Sequence, residues 1–200
     1  MIILVSIIAY LIGSVSMSII ITKYILKDDV RDHGSHNAGA TNVARVFGII
    51  PGIITLICDF LKCFIAMSIG RALLSEAGFA AAGIACLTGH CFPVYFGFRG
   101  GKAVSTGICV AFLADWRIGI IALLTFLIVF MITHIVSVSS VSAAAVSAVS
   151  LLFFDFGAER YVLLVFTCIL IIVMHRDNIK RLVNGEEKKF VPGKRGGKEE

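Results

Sequence analysis

Three polar stretches interrupt an otherwise apolar chain, and each carries residues suited to holding phosphate. In RDHGSHNAGATNVAR (residues 31–45), Ser35, Asn37, Thr41 and Asn42 offer short hydrogen-bonding side chains. Arg45 adds a planar fork that matches a phosphate, while Gly34 and Gly39 permit unusual backbone angles and close approach. The plainer alternative is a solvated loop with a helix cap at Thr41 or Asn42. In GHCFPVYFGFRGGKAVST (residues 89–106), Gly100-Gly101-Lys102 leads into an apolar run. Free N–H groups and the positive end of a helix dipole at that point would face an anion. Alternatively, Arg99 and Lys102 serve only to fix topology. A nucleotide-binding P-loop does not fit, because it needs four residues between its glycines and Ser or Thr after Lys. Here three residues separate Gly97 from Gly101, and Ala103 follows Lys102. In HRDNIKRLVNGEEKKF (residues 175–190), helical spacing puts His175, Asn178 and Leu182 near one face, or the stretch is simply a basic tail beside the membrane.

The elements that must position these clusters are read from composition. Of 200 residues, 58% are hydrophobic and 16% charged, which excludes an ordinary soluble domain. Apolar runs fall at about 3–25, 49–74, 79–97, 103–115, 117–136, 139–154 and 158–175. Several approach the roughly 20 residues needed to cross a bilayer. The chain is therefore expected to be an all-α integral membrane protein, a compact bundle of about seven transmembrane helices. The fourth and sixth runs are short, and if neither crosses, the count is five. The sixth is rich in Ser and Ala and suits a buried helix packed closely by its neighbours. We expect a single domain over 1–200, with 176–200 a cytoplasmic tail whose end is disordered. The first run lacks a basic n-region and a small-residue cleavage site, so it is expected to stay as a helix. Six cysteines form no C-x-x-C pair and read as small buried hydrophobes.

Charge selects the orientation. With the N-terminus outside, fourteen Lys and Arg collect on the cytoplasmic side, and only Arg117 and Arg160 lie outside in the seven-span arrangement. The C-terminus is then cytoplasmic, and all three polar clusters share one face. Within the second span, Asp59 and Lys62 stand one helical turn apart, with Asp59 roughly 15 Å deep. They read as a mutual pair or as a substrate contact. His90 and His134 read as hydrogen-bonded packing residues.

GSHNAGATNVAR, GHCFPVYFGFRGGKAVST and HRDNIKRLVNGEE, in that order with Asp59-x-x-Lys62 between the first two, resemble the bacterial acyl-phosphate:glycerol-3-phosphate acyltransferase family (PlsY) over nearly the whole chain. The resemblance implies cytoplasm-facing active-site loops in the inner membrane. It also implies transfer of a fatty acyl group from acyl phosphate to the sn-1 hydroxyl of glycerol 3-phosphate, the first step of phospholipid synthesis. The products would be lysophosphatidic acid and inorganic phosphate. Carried onto this chain, Gly100, Gly101, Lys102, Ser35, Thr41 and Asn42 would form a phosphate-holding wall. Arg45, Lys102, His175 and Asn178 would hold glycerol 3-phosphate, with Ser140 and Glu187 in support. Lys102, His175 and Ser35 are the catalytic candidates. The hydroxyl proton goes either to His175 or to the substrate's own phosphate. No metal or cofactor is expected, nor any nucleic acid. The partners are the two substrates, membrane lipid and the enzyme that makes the acyl phosphate. Where the family tends to have glycine, this chain has His36, Cys63 and Ala103.

Rival classes fit less well. A transporter should show paired repeats or broken helices in matching positions, and no such repeat is evident. A scaffold would not need three polar clusters on one side. An acyl-CoA-dependent enzyme of the soluble-headed type would carry H-x4-D, and the residues five after the histidines are Ala38, Thr41, Tyr95, Ser139 and Lys180.

Overall fold

The computed structural model describes residues 1–193, and these form helices and loops with no strand. The chain opens with α1 (Ile2–Ser14), followed by a short α2 (Met17–Ile19) and a π-helical turn, Ile20–Ile25. Between α1 and α2 the backbone is extended at Val15 and Ser16. That break releases the Val15 carbonyl from the helical ladder, and a buried carbonyl so released needs a partner. Lys62 supplies it at 2.8 Å.

A second loop leads to α3 (Ala40–Phe47), then to α4 (Ile49–Cys91). α4 is a hairpin rather than one rod. Leu74 (φ −141°, ψ 26°) and Ser75 (φ 51°, ψ −136°) leave the helical region, and the chain reverses there. Gly70 and Gly78 then face one another so closely that a Cβ on either would strike the other's carbonyl. Small residues at a crossing let two apolar helices approach to backbone contact, which is how helices associate where lipid offers no hydrophobic drive. Gly13 against Cys86 and Gly89 against Tyr10 seat α1 on the second leg in the same way.

The remaining helices are α5 (Val104–Ala114), α6 (Trp116–Thr133), α7 (Val136–Ser150), α8 (Ala158–Met174) and α9 (Arg176–Val183). All seven apolar runs of the sequence thus lie on helices, with the second and third joined as the α4 hairpin. Four stretches are long and apolar enough to cross a membrane, and α8 with α9, bent by 51°, makes a fifth. One of the four is Val136–Phe153, so the Ser/Ala-rich run reaches spanning length, with seven of its residues in α7 buried. α5 does not. Its 11 residues rise only about 16 Å.

The ends of the bundle differ in chemistry. At the hairpin end, Glu76 pairs with Arg160 at 2.8 Å and Arg71 at 3.0 Å, while Arg160 also donates to the Ala114 carbonyl. The other end gathers the three polar clusters. Five of the six cysteines are buried and all six are free. The tail continues past α9 as ordered chain to Gly193. Its expected disordered end lies outside the described residues. Phe190 donates its N–H to His134, and Gly193 donates to Ala44, so this segment straps α3 to the α6–α7 corner.

Candidate active site

A cavity of about 140 Å³ opens where the three clusters meet. One water needs only roughly 10–15 Å³ by the same measure, so the space admits a larger polar group. Ser35, Thr41, Asn42, Arg45, Lys102, Ser140, His175, Asn178 and Glu187 all line it. Nine residues spread over 150 positions converge because the loops preceding α3 and α5 and the start of α9 share one end of the bundle.

The first loop is organised by Asn42, which is 1% exposed. Its amide nitrogen lies 3.0–3.1 Å from the carbonyls of Val30, His33 and Asn37, and its oxygen accepts from the Ser35 N–H at 3.0 Å. With both ends committed, Asn42 cannot also bind a phosphate. It shapes the loop that presents Ser35 and Thr41. Gly39, not Thr41 or Asn42, is the residue before the first turn of α3. Arg31 ties this loop to the next, bonding Asp29 and the Phe96 carbonyl.

The second loop departs from expectation in one respect. The N–H groups of Gly100 and Gly101 do not face the cavity, since they donate to the Cys91 and His90 carbonyls at 3.1 and 3.0 Å. Neither glycine lines the cavity. Both lack side chains for a steric reason instead: a Cβ at Gly100 would strike the His90 carbonyl, and one at Gly101 the His90 ring. Free donors lie one step further on, at the first turn of α5, whose N–H groups have no intrahelical partner. Val104 and Ser105 from that turn border the cavity beside Lys102.

Arg45 makes no hydrogen bond or ion pair among the described residues, and burial lowers its pKa from the usual range. An unpaired, half-buried guanidinium is suited to gripping an anion. Lys102 donates to the Asn178 side-chain oxygen. Burial lowers its pKa, and the nearby Arg181 charge lowers it further. The Asn178 amide then donates to Glu187 at 2.6 Å, and Glu187 also accepts from Ser137 and Arg181, each at 2.7 Å. Burial pushes the Glu187 carboxyl up, but those three donors outweigh it and hold it below the ordinary carboxylate range. Glu187 is therefore the knot that fixes Asn178, and through it Lys102.

His175 is 3% exposed, and its Nδ1 lies 2.8 Å from the Ile171 carbonyl. A carbonyl only accepts, so Nδ1 carries the proton and Nε2 presents a lone pair. Ser140 spends its proton on the Val136 carbonyl and can only accept from the cavity. His36 and Ala103, at positions where the family tends to have glycine, both have left-handed backbones, φ 56° and φ 58°. Glycine would adopt either without strain. Cys63 is fully buried, 3.6 Å from the Thr106 carbonyl.

Sequence reasoning missed Ser137 and the participation of His90. Ser137 carries no motif signal, being one of several serines on α7. His90 was readable as packing, and it does pack. But its Nδ1 lies 3.1 Å from Lys62, which is also 2.8 Å from Asp59, and its ring borders the cavity. The Asp59–Lys62 pair is thus real but has a third member. Asp59 Oδ1 sits off the N–H line and is held by charge rather than by a linear hydrogen bond.

The arrangement offers three cations (Arg45, Lys102 and, at the rim, the exposed Lys188), a helix start and neutral hydroxyls around one small space, with Leu56 and Phe126 on its apolar side. It suits a phosphorylated substrate with a greasy arm. The model of the glycerol-3-phosphate acyltransferase family matches residues 3–185. The chain belongs to that family. A glycerol-3-phosphate acyltransferase of Thermoanaerobacter pseudethanolicus is 39% identical, covering 94% of this chain and 95% of its own. Glycerol-3-phosphate acyltransferase 2 of Bacillus anthracis is 41% identical over 94% of this chain and 99% of its own. The crystal structure of PlsY (YgiH), an integral membrane glycerol 3-phosphate acyltransferase, superimposes in its glycerol 3-phosphate form with a TM-score of 0.88. It is 33% identical and covers 95% of this chain and 96% of that one. The lysophosphatidic acid form of the same protein matches with a TM-score of 0.85 at the same identity, covering 95% of each chain. This acyltransferase is accordingly an integral membrane enzyme of helical fold.

Proposed function

We propose that this acyltransferase takes its acyl group from an acyl phosphate and places it on the sn-1 hydroxyl of glycerol 3-phosphate. The observation that carries the reading is the pair of half-buried cations, Arg45 and Lys102, neither in an ion pair among the described residues, in one cavity with the first turn of α5. Both proposed substrates present a phosphate, and both would be gripped by the same kind of group. A thioester carries no phosphate at its reacting carbon and would leave one of the two cations without work.

Glycerol 3-phosphate binds through its phosphate to Arg45, with Asn178 and His175 ordering the glycerol arm. Lys102 and the α5 start hold the phosphate of the donor, with Ser35 and Thr41 completing that wall. The His175 Nε2 lone pair accepts from the sn-2 hydroxyl and so aims the sn-1 oxygen at the acyl carbonyl, leaving the sn-1 proton free for the phosphate. A new C–O ester bond forms as the bond from the acyl carbon to the phosphate oxygen breaks. The hydroxyl proton passes to the departing phosphate, so the products are lysophosphatidic acid and inorganic phosphate. An acyl phosphate is a mixed anhydride and already activated. Positioning and charge stabilisation therefore suffice.

The whole chain acts as one transmembrane catalytic unit in the bacterial inner membrane, with its N-terminus outside and the cavity toward the cytoplasm. The basic residues around the cavity support that sidedness. The same face is where the enzyme that makes acyl phosphate would deliver it. Donor choice tests the proposal. Purified protein given glycerol 3-phosphate and palmitoyl phosphate should release lysophosphatidic acid and phosphate in equal amounts, while palmitoyl-CoA gives none. Turnover with palmitoyl-CoA alone would overturn it.

A further inference from the structure

One buried polar group at the cavity has no role in that scheme. His90 is 5% exposed, and its ring edge at Nε2 abuts Gly101, the residue before Lys102. On the other edge Nδ1 lies 3.1 Å from the Lys62 ammonium. Lys62 is itself 7% exposed and has three N–H bonds to place. Two acceptors take its N–H groups, the Val15 carbonyl at 2.8 Å and His90 Nδ1, while Asp59 Oδ1 at 2.8 Å balances its charge. An ammonium can only donate, so Nδ1 accepts on that contact, Asp59 Oδ1 at 3.6 Å lies beyond hydrogen-bond reach of Nδ1, and the ring proton sits on Nε2. Asp59, also approached by Ser105 at 3.5 Å, keeps the ammonium in place at 1% exposure. The result is an imidazole with one tautomer enforced and an N–H that has no partner among the described residues. His90 lines the cavity, so a substrate oxygen can supply the acceptor that the described residues do not.

We infer that His90 is a further catalytic residue, donating from Nε2–H to an oxygen of the acyl phosphate, with Asp59 and Lys62 as positioning residues that lock its tautomer. The inference rests on the acyl-phosphate reading for the identity of that oxygen. Placement favours the donor substrate over glycerol 3-phosphate. His90 stands against the Gly101–Lys102 loop and beside Asp59, one turn from Leu56 on the same helical leg, on the apolar side of the cavity. His175, Asn178 and Glu187 form the separate group at α9.

Two substitutions separate this role from mere packing, because they divide the functions of the ring. His90→Asn keeps an acceptor near Nδ1 for Lys62 and removes the Nε2 donor. His90→Gln keeps a donor at the reach of Nε2 and gives up the Lys62 contact. If His90 only packs against Lys62, the Asn variant is the better enzyme. If it donates to substrate, the Gln variant is better. We expect kcat/KM for palmitoyl phosphate to fall roughly 10²–10³-fold in His90→Asn, as for loss of one preorganised donor. His90→Gln should recover at least tenfold of that, and KM for glycerol 3-phosphate should stay within about twofold in both. The tautomer is read independently and without substrate, from ¹⁵N imidazole resonances of histidine-labelled enzyme. His90 should report Nε2–H, and Lys62→Met should turn that single form into a mixture. A proton on Nδ1 in the unaltered enzyme, or an Asn variant more active than the Gln variant, would overturn the inference. Both variants are also run with palmitoyl-CoA. Turnover from the thioester alone would remove the acyl-phosphate reading, and the order of the two variants on that donor would still decide the role of His90.

Discussion

Lys102 shows how a single residue's environment sets what it can do. Burial and the neighbouring Arg181 disfavour its charged form, so its pKa lies below the ordinary lysine value. The sign follows for stability and for activity. Holding the ammonium there costs stability at neutral pH, and that cost is relieved as pH rises through the lowered pKa. The same rise removes the charge that grips phosphate. We therefore expect kcat/KM to decline on the alkaline side below the roughly 10.4 of free lysine. Bound phosphate favours the charged form, so the alkaline limb of kcat should lie at higher pH than that of kcat/KM. A pH–rate profile taken in both regimes measures the difference, and coincident limbs would mean that no phosphate sits on Lys102. Glu187 runs the other way. Its pKa is depressed by its donors, so the stability it contributes is present above the ordinary carboxylate range and is lost only as pH falls through the lowered value.

At the scale of elements, the sequence revealed the helices better than the loops. Length and hydropathy identify apolar segments directly, and each expected run contains a helix. The α4 reversal at Leu74–Ser75 was visible only as a gap between two runs, because no Pro or Gly marks it. The motif residues found one another as the resemblance implied, yet the work of two of the glycines was misassigned. Spacing tells that glycine is needed at Gly100 and Gly101. It does not tell whether the reason is an open N–H or a neighbour too close for a Cβ, and here the neighbour is His90. Asn42 was misassigned likewise, since its four partners come from a loop fold that no periodicity encodes. Ala103 tests the loop as a unit. Its φ of 58° and complete burial join the Lys102 loop to α5. Ala103→Gly should keep activity and leave stability within about 1 kcal/mol, strain relief offsetting chain entropy. Ala103→Val, β-branched and larger, should cost about 2 kcal/mol or more. Thermal unfolding in detergent measures both, and a harmless valine would contradict the left-handed junction.

For the whole molecule, we propose that the site lies below the membrane surface, with the α4 hairpin turn at the opposite face of the bilayer. From the hairpin turn, residues 76–91 rise about 24 Å to reach His90, and the 11 residues of α5 descend only about 16 Å. Both are shorter than the hydrocarbon core of about 30 Å. With the hairpin turn at the far face, the cavity would lie within the thickness of the bilayer, where an acyl tail can stay in lipid while the phosphates meet Arg45 and Lys102. Sidedness is open to direct test. A cysteine introduced at Lys189 should be labelled by an impermeant reagent from the cytoplasm, and one at Glu159 only from outside. Both positions are exposed. Reversed labelling would turn the cavity away from the cytoplasm and refute the proposed orientation. Everything in the account depends on this sunken site gripping a substrate phosphate through Lys102. The most direct measurement is kcat/KM of Lys102→Ala with glycerol 3-phosphate and palmitoyl phosphate, after equal membrane insertion is confirmed. We expect a loss on the order of 10²–10³-fold, with weak rescue by Lys102→Arg, because a planar fork does not replace a compact point charge. Near-normal kinetics in Lys102→Ala would contradict the account.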